Sequence, residues 1–170
     1  RWVLSRLSET ILEITNGMEQ YDTVRASRPI AGFVTDFSTW YVRRSRERFK
    51  GDDGEDKQYA LATMRHVLLE LSKAIAPVMP FTAESIYKGT GGEKESVHLE
   101  SWPEAGEVDI ELLQQMTLVR DVVTAALEAR STAGIKVRQP LSLLRIKVAL
   151  SPELSALILD EINVKRVELA

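Results

Sequence analysis

The apolar residues of this 170-residue chain keep a helical period over most of its length and then abandon it. Leu4, Leu7, Ile11, Ile14 and Met18 recur at steps of three and four, which lays them along one stripe of a helix. Beyond Pro140 the step falls to two: Leu144, Ile146, Val148 and Leu150 alternate with Arg145, Lys147 and Ala149, as on a half-buried strand. The change of period predicts a mainly α protein, an up-and-down helical bundle over residues 1–132 followed by a small βαβ appendage over 133–170.

Further helices follow from the same spacing. Phe33, Phe37, Trp40 and Tyr41 predict a second helix from about Asp22 to about Lys50, with Pro29 as a kink or break. Leu61, Met64, Leu68, Leu71 and Ile75 predict a third that stops near Pro77, and Pro80 with Thr82 opens a short fourth through Tyr87. Glycines and Pro103 make residues 89–109 a long connection that packs Val97, Leu99 and Trp102 onto the bundle. A fifth helix carries Leu112, Met116, Val119, Val123 and Ala126 and ends near Gly134. In the appendage, Ser151 and Pro152 stand as N-cap and first residue of a helix whose apolar face holds Leu154, Leu157, Ile158 and Ile162, and Val164 to Leu169 form a second, parallel strand. The absence of a cap before Arg1, and a sheet of only two strands at the other end, predict a piece cut from a longer chain.

Composition removes several classes of function. There is no cysteine, so neither a disulfide scaffold nor a cysteine zinc cluster can form. The two histidines, His66 and His98, lack the Glu-x-x-His pairing of a di-iron bundle on facing helices, and no metal site is expected. Nothing approaches the run of about 18 apolar residues that spans a membrane. A cytoplasmic monomer is expected. The stretch GTGG at 89–92 lacks the lysine and hydroxyl residue of a phosphate loop and reads as a turn. The chain is not expected to be a catalyst by itself and should hold no cofactor.

With a net charge of −3, bulk positive potential cannot drive nucleic-acid binding, and any such contact must be local. Two clusters offer one. From Arg43 to Lys50 there are four arginines, one lysine and one glutamate. At about 100° per residue, Arg43, Arg46 and Lys50 share a polar ridge, whereas Arg44 and Arg48 fall among Phe33, Phe37, Trp40 and Tyr41. Guanidinium groups neutralise phosphates, and aromatic or guanidinium planes stack on unpaired bases. The second cluster holds Arg130, Lys136, Arg138 and Gln139, with Arg145 and Lys147 beyond, and no acid lies between residues 129 and 152. Spacing alone leaves three readings open: an RNA-docking surface, a solvated or internally paired face, and an amphipathic groove for a partner helix.

The segments WVLSRL at 2–7, DFSTWYVRRSR at 36–46, APVMPFTAESIY at 76–87, SVHLESWP at 96–103 and GIKVRQPL at 134–141 resemble, in order, the C-terminal region of isoleucyl-tRNA synthetases. The third is shared with the class I synthetases for valine, leucine and methionine; WYVRRSR and KVRQPL favour isoleucine over valine. The resemblance implies a class I anticodon-binding domain over 1–132 and a junction subdomain over 133–170. It implies a fragment that recognises the anticodon stem and loop of tRNA(Ile) and adjoins the parent's catalytic domain. The family's ATP-site signatures, editing domain and cysteine zinc module are absent, so isoleucine activation with ATP and magnesium is assigned to the parent. The RNA-contacting set is then Trp40, Arg43, Arg44, Arg46, Arg48, Lys50, Arg130, Lys136, Arg138 and Gln139. The alternatives are a valyl-tRNA synthetase fragment and a helical protein-interaction module.

Overall fold

A computed structural model describes residues 1–52 and 54–170. They gather into two units, residues 1–108 and 109–170. The last long helix therefore groups with the strands, where sequence periodicity had divided the chain at 132.

The first unit is helical. It contains α1 (Trp2–Glu19), α2 (Thr23–Asp36), a π-helical segment (Phe37–Val42), α3 (Arg46–Lys50), α4 (Glu55–Ile75), α5 (Pro80–Gly89) and a 3₁₀ turn (Val97–Leu99). α1 buries Val3, Leu7, Ile11 and Ile14, while Leu4 is 37% exposed, so the buried stripe enters one residue earlier than the leucine spacing suggests. Asp22 opens α2 by accepting the Arg25 N–H at 2.8 Å. The two helices meet closely at Gly17, where a Cβ would stand 2.6 Å from the Ala26 backbone nitrogen. Pro29 does not break α2, which continues to Asp36 with one ladder hydrogen bond missing.

α4 turns Ala60, Val67, Leu71, Ala74 and Ile75 inward and leaves Leu61 39% exposed. With Phe33, Phe37, Ala83, Tyr87 and Val97 they continue the core begun on α1. Of the connection after α5, Val97 is buried, Leu99 is 58% exposed, and Trp102 donates its indole N–H to Thr15 Oγ1 at 2.9 Å. Tyr87 closes this end: its hydroxyl donates to Glu100 and accepts the Lys94 N–H at 2.9 Å, and Gly92 lies directly against its ring.

The second unit runs α6 (Ile110–Thr132), β1 (Leu144–Ile146), α7 (Pro152–Ile162) and β2 (Val167–Leu169). Asp109 caps α6 by accepting the Leu112 N–H at 3.0 Å, and Gly134, at φ +67°, turns the chain out of the helix. Ser151 and Pro152 start α7 as their types require, with Ser151 Oγ accepting the Leu154 N–H at 3.3 Å. The strands pair in parallel, Leu144 opposite Val167 and Ile146 opposite Leu169, and Leu141 bridges Val164 ahead of them. Pairing covers three residues, so β1 stops at Ile146 rather than reaching Leu150. The chain is mainly α with a small two-stranded parallel sheet, the expected class. Among the described residues no helix is long and apolar enough to cross a membrane.

Candidate nucleic-acid interface

The aromatic and basic stretch of the first unit is not one helix. After Asp36 the hydrogen bonding widens, and the Arg43 N–H reaches back five residues to the Ser38 carbonyl at 3.1 Å. In an ordinary α-helix, residues four apart are displaced by about 40° around the axis. The wider turn brings them nearer to one line, and the Phe37 and Tyr41 rings lie 5.6 Å apart and only 13° from parallel. Phe33 extends the ladder on one side at 5.9 Å, and Phe49 ends it edge-on to Tyr41 at 6.4 Å. Tyr41 also donates its hydroxyl to the Ala60 carbonyl on α4 at 3.0 Å. Burial pushes its phenol above the ordinary value, against a lowering hydrogen bond with Thr63.

Trp40 stands apart from this ladder. A uniform wheel groups it with Phe37 and Tyr41, but it is half-buried and is not among the side chains packed on the core. The π turn is the reason, because it changes the angular step between Phe37 and Tyr41.

The basic residues divide by what they already bind. Arg43 is exposed, but its Nε donates to the Thr39 carbonyl at 2.8 Å, folding the side chain along its own backbone. Arg44 is half-buried and has a partner. Arg48 grips Asp56 at the start of α4 with Nε at 2.8 Å and Nη2 at 2.6 Å, a two-point pair that fixes α3 to α4. The same hydrogen bond holds the Asp56 carboxyl below its ordinary value and raises that of Arg48. Arg46 and Lys50 are exposed, and neither side chain has a hydrogen bond or ion pair among the described residues.

Behind this segment lies a pair that spacing did not reveal. Arg6 on α1 donates Nε to Asp36 at 3.1 Å, and its Nη1 donates to Glu9 at 2.8 Å and Thr10 at 3.1 Å. It ties α1 to the residue from which the π turn departs. The one sequence signal was an aspartate at the head of an aromatic and basic run.

In the second unit, Lys136, Arg138 and Gln139 are exposed on the loop between Gly134 and β1. Arg130 has a different place from the one expected of an RNA contact. It is 5% exposed, and its Nη2 donates inward to the carbonyls of Lys136 at 2.7 Å, Val137 at 3.2 Å and Gln139. Asn163, left-handed at φ 52°, adds a bond from Nδ2 to the Val137 carbonyl at 2.9 Å. Arg130 therefore shapes the loop that displays Lys136 and Arg138.

The glycine stretch after α5 forms no anion cradle. Arg65 donates to the Thr90 and Gly91 carbonyls at 2.8 and 2.9 Å, so the stretch presents acceptors there and Gly92 is filled by Tyr87. No three acidic or histidine side chains among the described residues come together as a metal site. The fold thus offers cationic and aromatic surface and little reactive chemistry.

Residues 1–147 match the model of a family described as the anticodon-binding domain of tRNA ligase. The chain belongs to this anticodon-binding family. Across 98% of its length it is 41% identical to an isoleucine–tRNA ligase of Deinococcus radiodurans, and across 96% it is 44% identical to that of Streptomyces coelicolor. The corresponding ligase of Thermus thermophilus is 38% identical over 98% of the chain. The domain spans only 16 to 17% of the length of these relatives. It corresponds to the anticodon-binding region of isoleucine–tRNA ligases and not to the valyl enzyme specifically.

Proposed function

We propose that this domain docks the anticodon stem and loop of tRNA(Ile) for an isoleucine–tRNA ligase, whose catalytic portion performs the ATP- and magnesium-dependent aminoacylation. The observation that carries the reading is a division of labour within one segment. Phe33, Phe37, Tyr41, Arg48 and Asp56 are consumed in holding it to the body. Arg46 and Lys50 point no charge at a partner within the described residues, and Trp40 lies outside the core. Phosphate contacts fix the position of an RNA, whereas stacking and hydrogen bonds to splayed bases supply identity. On this reading Arg46 and Lys50 hold backbone phosphates and Trp40 offers a stacking plane. Arg43, Arg44 and Arg48 flank them from fixed positions, and Lys136, Arg138 and Gln139 form a second contact loop in the other unit. The protein acts in the cytoplasm and binds its tRNA as a monomer.

Binding of tRNA(Ile) by this chain, titrated over a range of salt, tests the proposal. Arg46→Gln with Lys50→Gln should weaken binding and flatten the plot of log affinity against log salt by about 0.7–0.9 for each phosphate no longer neutralised. An unchanged slope in a folded variant rejects the assignment of these two residues. Equal affinity for an unrelated tRNA rejects anticodon reading.

A further inference from the structure

The second unit contains a cavity of about 240 Å³ whose wall is apolar except for one side chain. Ala129, Ile135, Leu141, Leu144 and Ile162 line it together with Arg130. Arg130 is 5% exposed, and its Nη2 is occupied by loop carbonyls. Its Nε and Nη1 are buried and have no hydrogen-bond partner, and among the described residues no carboxylate pairs with it. A guanidinium stays charged at any pH a protein meets. Burying one without a counter-charge, and with donors unmade, is costly in a way that an anion relieves.

We propose that this cavity takes a carboxylate carried on a short aliphatic stem, with Arg130 as its charge partner. One buried positive charge matches a monoanion; a phosphate dianion would lose its hydration against hydrocarbon walls with too little in return. The stem follows from the wall, which rewards apolar contact. The size follows from the volume: a cavity of about 150 Å³ admits benzene, so this one holds a chain of about six carbons with its head group. The carboxylate can come from a free fatty acid or from an acidic side chain of a polypeptide.

Hexanoate, hexanol and a blocked leucyl-glutamate dipeptide, titrated into the 170-residue chain and followed by the methyl signals of Ile135, Leu141 and Ile162, test the proposal. The expected result is saturable binding of a carboxylate at least about tenfold tighter than hexanol, since the alcohol keeps the stem and loses the charge-assisted bond. Amide signals of residues 136–139 should move with the methyls, because Arg130 holds both. Tighter binding of hexanoate names a free acid as the source, and tighter binding of the dipeptide names a polypeptide. Ala126→Phe, which fills the cavity and spares Arg130, should abolish the effect. Equal binding of hexanoate and hexanol, or no saturable shift from either carboxylate, overturns the proposal without recourse to any variant.

Discussion

Arg6 and Asp36 stand thirty residues apart in sequence and 3.1 Å apart in space, joining α1 to the last residue of α2 with side chains only 18% and 7% exposed. A carboxylate this deep depends on its partner. Arg6→Met should cost about 3 kcal/mol in denaturant unfolding, because it strands the charge of Asp36, and adding Asp36→Asn should recover part of that loss. Fully additive losses would show that the two side chains do not act together.

Gly17 should tolerate no side chain. A Cβ there would lie 2.6 to 2.8 Å from three atoms of Ala26, two of them backbone, so α1 and α2 would have to move apart. Gly17→Ala should destabilise the chain by about 1–3 kcal/mol despite the better helix propensity of alanine. A stability gain would mean that the two helices are not held at this crossing.

Acid stability should carry the signature of Glu84. The Val97 N–H, Lys88 and Ser96 hold its carboxyl at about 2, well below the ordinary value. A group that binds its proton more weakly when folded contributes fully above its unfolded pKa of about 4.5, and the contribution is lost as pH falls from there through about 2. Glu84→Gln should therefore flatten the fall in unfolding free energy across that window and leave the slope at neutral pH unchanged. An identical acid slope in both proteins would refute it.

Trp40 and Phe37 should separate under truncation. Phe37→Ala removes a buried rung of the aromatic ladder and should cost about 3–5 kcal/mol of stability. Trp40→Ala should cost about 1 kcal/mol of stability and weaken tRNA affinity by about 1–3 kcal/mol, the range of one base–aromatic stack. Chemical denaturation with a binding titration on the same two proteins decides it; a Trp40→Ala loss as large as that of Phe37→Ala would place the indole in the scaffold.

Local chemistry was legible in the sequence, and tertiary chemistry was not. Ser151 and Pro152 marked the start of α7 because a cap acts within four residues. The exposed ridge of Arg43, Arg46 and Lys50 was also readable, since all three remain exposed although the helix is interrupted. Trp40 was grouped with the wrong face because a constant 100° step cannot anticipate a π turn. Arg130 looked like a member of a basic surface because its burial depends on carbonyls six to nine residues ahead, after the helix has turned back. Arg6 and Asp36 gave no periodic signal, being one residue each on two helices.

The π segment at Phe37–Val42 gives the chain a phase setting. A wider turn is how a helix absorbs one extra residue without breaking. Removing one residue from 38–40 would let the segment close into an ordinary α turn, and whatever follows would swing by about 100° around the axis. Arg46 and Lys50 would keep their identities and their charge and still face another way. What aims the cationic surface is therefore a length, and a substitution scan, which never changes length, would pass over it.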